Sequence, residues 1–156
     1  MVQQWVVADY PQLRLLRASL RQAVDAQSLP PGRELEDVAE RMAVVATELA
    51  TNALQHGSSQ AVVRLSRSAR AFVVDVADEL PSVAPQLVER GQLETGGRGL
   101  HITRELALDT GWYVAGGRKH VWAQFGIPGR ARRFQAPRIS VFDLRTFVRL
   151  LRRLGS

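Results

Sequence analysis

Cysteine is missing from the 156 residues, which excludes a disulfide framework, a thiolate metal site and a thiol nucleophile, and leaves redox chemistry without its usual side chain. Long apolar runs are missing too. None approaches the roughly 18 to 20 residues needed to cross a bilayer, and the opening Met-Val-Gln-Gln-Trp lacks the basic-then-apolar order of a secretory signal. The expected location is the cytoplasm, without membrane insertion. Lysine is almost absent: Lys119 is the only one among 21 basic residues, an arginine bias that fits a GC-rich genome. No internal repeat or low-complexity segment interrupts the chain. What remains is ordinary for one globular domain, with 46% hydrophobic and 23% charged residues, and the length is too short for two comfortable cores.

The net charge of +6 is unevenly spread. From residue 130 onward, arginines stand at 130, 132, 133, 138, 145, 149, 152 and 153 against a single acid, Asp143, so this stretch holds more than the whole net charge. The rest of the chain is nearly neutral, and a basic surface is not its working principle. The division predicted is a domain over 1–129 and a basic extension over 130–156.

Residues 4 to 8 read as a short strand, and Asp9-Tyr10-Pro11 opens a helix with Leu13, Leu16, Leu20 and Val24 on one face. A second helix is predicted from about Glu34 to His56, with Leu35, Val38, Met42, Val45 and Leu49 at helical spacing and Gly57 as its stop. Two β-rich runs, 61–66 and 71–76, form a hairpin signal, and 79–97 reads as a loop rich in Pro and Gly. A short helix from about Leu100 to Asp109 precedes strands at 112–115 and 120–125 around the turn Gly116-Gly117-Arg118-Lys119. Hairpins with helices between them predict an α+β fold, a two-layer sandwich of a largely antiparallel sheet with helices on one face.

On the second helix Glu48 and Asn52 are four apart and share a face that Gln55 and His56 continue. An amide oxygen is a hard ligand suited to Mg²⁺, and a neighbouring carboxylate can accept a proton. Taken alone, such a row is more often a solvated helix face. Two further features change its meaning. The β-run V-D-V-A-D ends at Asp78, where a carboxylate beside a pocket can accept a hydrogen bond from an exocyclic amine. The run G-G-R-G-L at 96–100 leads glycines directly into a helix, where close backbone approach, unpaired N–H groups and Arg98 suit phosphate. It is not a Walker A loop, since no Gly-Lys-Ser/Thr is present. His56, His101 and His120 lack metal-site spacing, so no zinc site is assigned.

The order of these elements, an E-x-x-x-N-A-x-x-H helix, a strand-end Asp and a G-x-G-L loop entering a helix, resembles the Bergerat-fold ATPases, the superfamily of gyrase, histidine kinases and mismatch-repair ATPases. Within it, E-L-A-T-N-A-L-Q-H-G, D-E-L-P, G-R-G-L and V-W-A-Q-F look most like the bacterial anti-sigma-factor serine/threonine kinases, over roughly residues 5 to 127. The resemblance implies ATP and Mg²⁺ as cofactors. Asn52 would coordinate Mg²⁺, Glu48 would be the general base toward a protein serine, and His56 would sit near phosphate. Asp78 would recognise adenine, while Gly97, Arg98 and Gly99 would contact phosphates, with Leu100 in the same nucleotide-binding segment. The partners implied are a sigma factor and an antagonist protein, and a homodimer is compatible with it. One departure stands out: the fuller superfamily pattern D-x-G-x-G is here Asp78-Glu79-Leu80-Pro81-Ser82, without either glycine.

The tail lies beyond the resemblance. Ser140 to Asp143 has the form of a capping box, and Val141, Leu144, Val148, Leu151 and Leu154 make an apolar stripe, so an amphipathic helix is predicted there. Two other readings of the chain stay open. One is an ATP-binding regulatory module without catalysis, acting by protein binding. The other, ranked last, is a nucleic-acid binder acting through the basic tail.

Overall fold

The computed structural model describes residues 1–56, 58–79 and 98–130, with backbone alone at 98–100. The predicted tail helix, Gly57, the segment 80–97 and Gly97 within it lie outside the described residues. In chain order the elements are β1 (Gln3–Val7), α1 (Tyr10–Asp25), α2 (Arg33–Gln55), β2 (Ala61–Arg67), β3 (Ala71–Asp78), α3 (Arg98–Leu106), β4 (Asp109–Ala115) and β5 (Arg118–Gly126).

Helix α1 starts where local chemistry demands it. Asp9 is extended and its carboxylate accepts from the backbone N–H of Gln12 at 2.9 Å, while the Gln12 amide oxygen accepts from the Ala8 N–H at 2.7 Å. The two satisfy orphan donors on both sides of the cap, much as a capping box does, and Pro11 occupies the first turn, where it loses no hydrogen bond. Leu13, Leu16, Leu20 and Val24 then fall on one buried face. Helix α2 has no side-chain cap, but Glu34 and Glu36 place acid in its first turn, favourable to the helix dipole. Its 23 residues span about 34 Å. Leu35, Val38, Met42, Val45 and Leu49 are buried along it, as their spacing predicts. Arg17 and Arg21 of α1 both pair with Glu40 of α2, but these charges are solvent-exposed and contribute little beside the apolar contact.

The sheet has the order β1-β2-β3-β5-β4, every neighbouring pair antiparallel. Its central strand β3 is buried throughout. Strand alternation sends Phe72, Val74 and Val76 into the core shared with α1 and α2, together with Val121, Ala123 and Phe125 of β5. Val73, Asp75 and Ala77 point to the opposite face. The α+β two-layer sandwich expected from the sequence is therefore observed.

Two boundaries move. Helix α3 ends at Leu106 instead of near Asp109, because the Leu108 N–H donates to the Gln124 carbonyl at 2.8 Å and draws the chain into the ladder, where Asp109 pairs with Gln124. The β4–β5 turn is narrower than Gly116–Lys119. Gly116 and Gly117 have φ of 57° and 70°, the positive values a two-residue type I′ hairpin needs, so Arg118 and Lys119 belong to β5.

Candidate functional site

The polar face of α2 is sorted by its own threonines. Thr47 and Thr51 turn their hydroxyls onto the carbonyls of Ala43 and Thr47, at 2.8 and 2.7 Å, and are satisfied within the helix. Glu48 and Asn52, half-buried and one turn apart, make no side-chain hydrogen bond or ion pair among the described residues. A half-buried amide has donor and acceptor capacity that must be met by something other than these groups. His56 caps the helix and is exposed.

The end of α2 is stitched to the end of β3. Ser58 donates its N–H to the Ala53 carbonyl at 3.1 Å, and its hydroxyl accepts from the Glu79 N–H at 3.2 Å. The Ser59 hydroxyl donates to the Glu79 carboxylate at 2.7 Å. That bond, helped by Arg118, holds the exposed Glu79 carboxyl below its usual range. Glu79 follows Asp78 directly, so the Asn52 end of α2 and the Asp78 end of β3 occupy the same end of the sheet. Asp78 shares strand parity with Val74 and Val76, which places its carboxylate on the helix side.

Helix α3 approaches from the other direction. A cavity of about 280 Å³ is lined by Glu34, Asp37, Val38 and Arg41 of α2, by Leu106 and Leu108, and by Phe125 to Pro128. The C-terminus of α3 thus lies beside the N-terminal half of α2, and the two helices pack together. Nine residues of α3 rise about 13 Å from its first turn. The backbone of Arg98, Gly99 and Leu100 forms that first turn, whose N–H groups are free of intrahelical partners and suited to an anion. Their side chains lie outside the described residues, as does Gly97.

The arrangement brings the Asp78 carboxylate and the Asn52 amide, with the Glu48 carboxylate one turn before it, to one end of the sandwich. It also shows an ion pair that local sequence does not announce. Lys119 stands directly opposite Asp78 in the β3–β5 ladder, and its ammonium lies 3.0 Å from the Asp78 carboxylate, with both side chains under 10% exposed. The glycines before it make Lys119 read as part of a turn, and only its strand parity in β5 would signal the pairing.

A second polar cluster occupies the opposite face. Asp75 accepts from the Tyr113 hydroxyl at 2.9 Å and lies 2.9 Å from Nδ1 of His120. Tyr113 and His120 are cross-strand partners whose rings stack at 4.5 Å. Burial, and then the Asp75 charge and hydrogen bond, push the Tyr113 phenol well above its ordinary range. Asp75 lies three residues before Asp78 and so on the other side of the sheet. The only sequence signal for it is a charge inside V-V-D-V, a run otherwise apolar.

A model of the histidine kinase-like ATPase domain matches residues 6–125. No curated protein matches the chain.

Proposed function

We propose, from the premise that the chain belongs to the histidine kinase-like ATPase domain family and is an ATP-binding domain of that kind, that it is a serine/threonine protein kinase of the anti-sigma-factor type. Its substrate would be a small antagonist protein, and its second partner a sigma factor held until the antagonist intervenes. The observation that carries this reading is the pair Glu48 and Asn52, side by side, half-buried and engaged by no described residue, at the sheet end that holds Asp78.

The donor set fits Mg²⁺: an amide oxygen with a carboxylate one turn away supplies hard oxygens, and phosphate oxygens and water would complete the shell. Asn52 would hold the ion, and when bound the ion neutralises phosphate charge. Asp78 would accept the adenine amine, and the first turn of α3 would receive the phosphates on its backbone N–H groups, with His56 nearby. Glu48 would accept the proton of the substrate serine as that oxygen bonds to the γ-phosphorus. The bond from the γ-phosphorus to the bridging oxygen breaks, and ADP leaves. The protein's part is positioning and charge.

The test is transfer of labelled phosphate from ATP to the antagonist in the presence of Mg²⁺. Glu48→Gln should lower the rate by about 10²- to 10⁴-fold while leaving ATP binding in place, as expected for loss of a general base. Transfer at the wild-type rate would remove Glu48 from that role. The D-E-L-P sequence after β3, without the superfamily's glycines, favours a second reading in which ATP is a regulatory ligand. Binding that depends on Asn52 and Asp78, with no transfer by the wild type, would select it.

A further inference from the structure

The Asp78–Lys119 pair is costly by any structural accounting. Both charges are buried, and replacing such a pair by apolar residues is commonly neutral or stabilising, so stability alone does not account for it. The identity of the cation is also pointed. Every other residue in the Lys and Arg total is arginine, and the sole lysine sits here. An arginine fork would take both oxygens of a carboxylate, whereas an ammonium uses one and keeps two further donors. Lys119 shares strand parity with Val121 and Ala123 and follows the Gly116–Gly117 turn, so its ammonium lies on the helix side, at the end of the sheet where Asn52 is found.

We propose that Lys119 is a base-reading residue of the nucleotide site, a reading that rests on the assignment of Asp78 to the adenine. Asp78 and Lys119 form an acceptor and a donor side by side. Adenine presents the complement, an exocyclic amine next to the acceptor nitrogen N1: the amine donates to Asp78, and Lys119 donates to N1. A carboxylate has acceptor positions enough for both the ammonium and the amine. Guanine in the same orientation presents a carbonyl oxygen to the carboxylate and an N–H to the ammonium, so both interactions become repulsive. The pair therefore selects adenine by attraction and rejects guanine by mismatch.

Calorimetric titration of the full chain with ATP, GTP and 1-deaza-ATP, which carries C–H in place of N1, tests this. The wild type should bind ATP about tenfold or more tightly than 1-deaza-ATP, the scale of one hydrogen bond from a charged donor, and GTP more weakly still. Lys119→Met should erase the difference between ATP and 1-deaza-ATP, and Lys119→Arg should weaken ATP by covering the carboxylate. Equal binding of ATP and 1-deaza-ATP by the wild type would overturn the role of Lys119 while leaving the ATP site standing. Failure of the wild type to bind any of the three would overturn the adenine assignment of Asp78 and this proposal with it. The comparison on the wild type needs no variant to fold.

Discussion

Removing one hydroxyl from the sheet face opposite the helices is a sharp test of how this sheet is held. In Tyr113→Phe the carboxylate of the buried Asp75 loses the donor at 2.9 Å and keeps His120. A hydrogen bond to a charged group contributes about 1.5–3 kcal/mol, and the ring itself, with its stacking on His120, is retained. Taking about 2 kcal/mol and a urea dependence of about 2 kcal/mol per molar, the unfolding midpoint should fall by about 1 M. The effect should also carry a pH signature. The Tyr113 phenol is raised in the folded state, so its stabilising contribution is complete below the unfolded value of about 10 and fades as pH rises from there toward the folded value. The gap between wild type and variant should hold at neutral pH and narrow above about pH 10. A loss below about 0.5 kcal/mol, within the range of an ordinary surface substitution, would refute the reasoning, as would a gap that ignores alkaline pH. A double-mutant cycle with Asp75→Asn should show coupling between the two positions.

Asp9→Ala removes the α1 cap, leaves the Gln12 N–H to solvent, and should cost about 1 kcal/mol in denaturant unfolding. Phe72, fully buried at the sheet centre, should cost about 3–5 kcal/mol as Phe72→Ala, a large share of a domain's total stability and measurable as a fall in the denaturation midpoint followed by circular dichroism. In Gly111→Ala the new methyl would meet the Trp122 ring at 2.9 Å, so the ring must shift. The expected result is a changed tryptophan emission spectrum and a loss of about 1–3 kcal/mol, and an unchanged spectrum would contradict the close approach.

The fold was legible wherever periodicity and punctuation agreed. The leucines of α1 and the apolar row of α2 sit on buried faces because a 3.6-residue period leaves them no other arrangement, and Asp9 with Gln12 marks a start that the backbone needs. The ends of α3 and β4 were not legible, since the Leu108–Gln124 bond that shortens the helix joins residues far apart in sequence. The same limit applies to the candidate site. Glu48, Asn52 and Asp78 could be proposed from type and spacing, and the stitching through Ser58 puts their elements at one end of the sheet. Lys119 could not be, because its role depends on being the register partner of a residue 41 positions earlier. Asp75, Tyr113 and His120 come from three strands, and no local pattern unites them.

The strand order has a consequence for how the chain can vary. Neighbours β3 and β5 are joined only after the chain has passed through residues 80–97, α3 and β4. The entropy of closing such a connection grows with the logarithm of its length, so each doubling of the connection costs about 0.6 kcal/mol. That is less than one buried methylene, worth about 0.8 kcal/mol. The sandwich consequently exerts little pressure on the length of the stretch that precedes the first turn of α3. That stretch can change in length while the register that sets Lys119 opposite Asp78 stays in place.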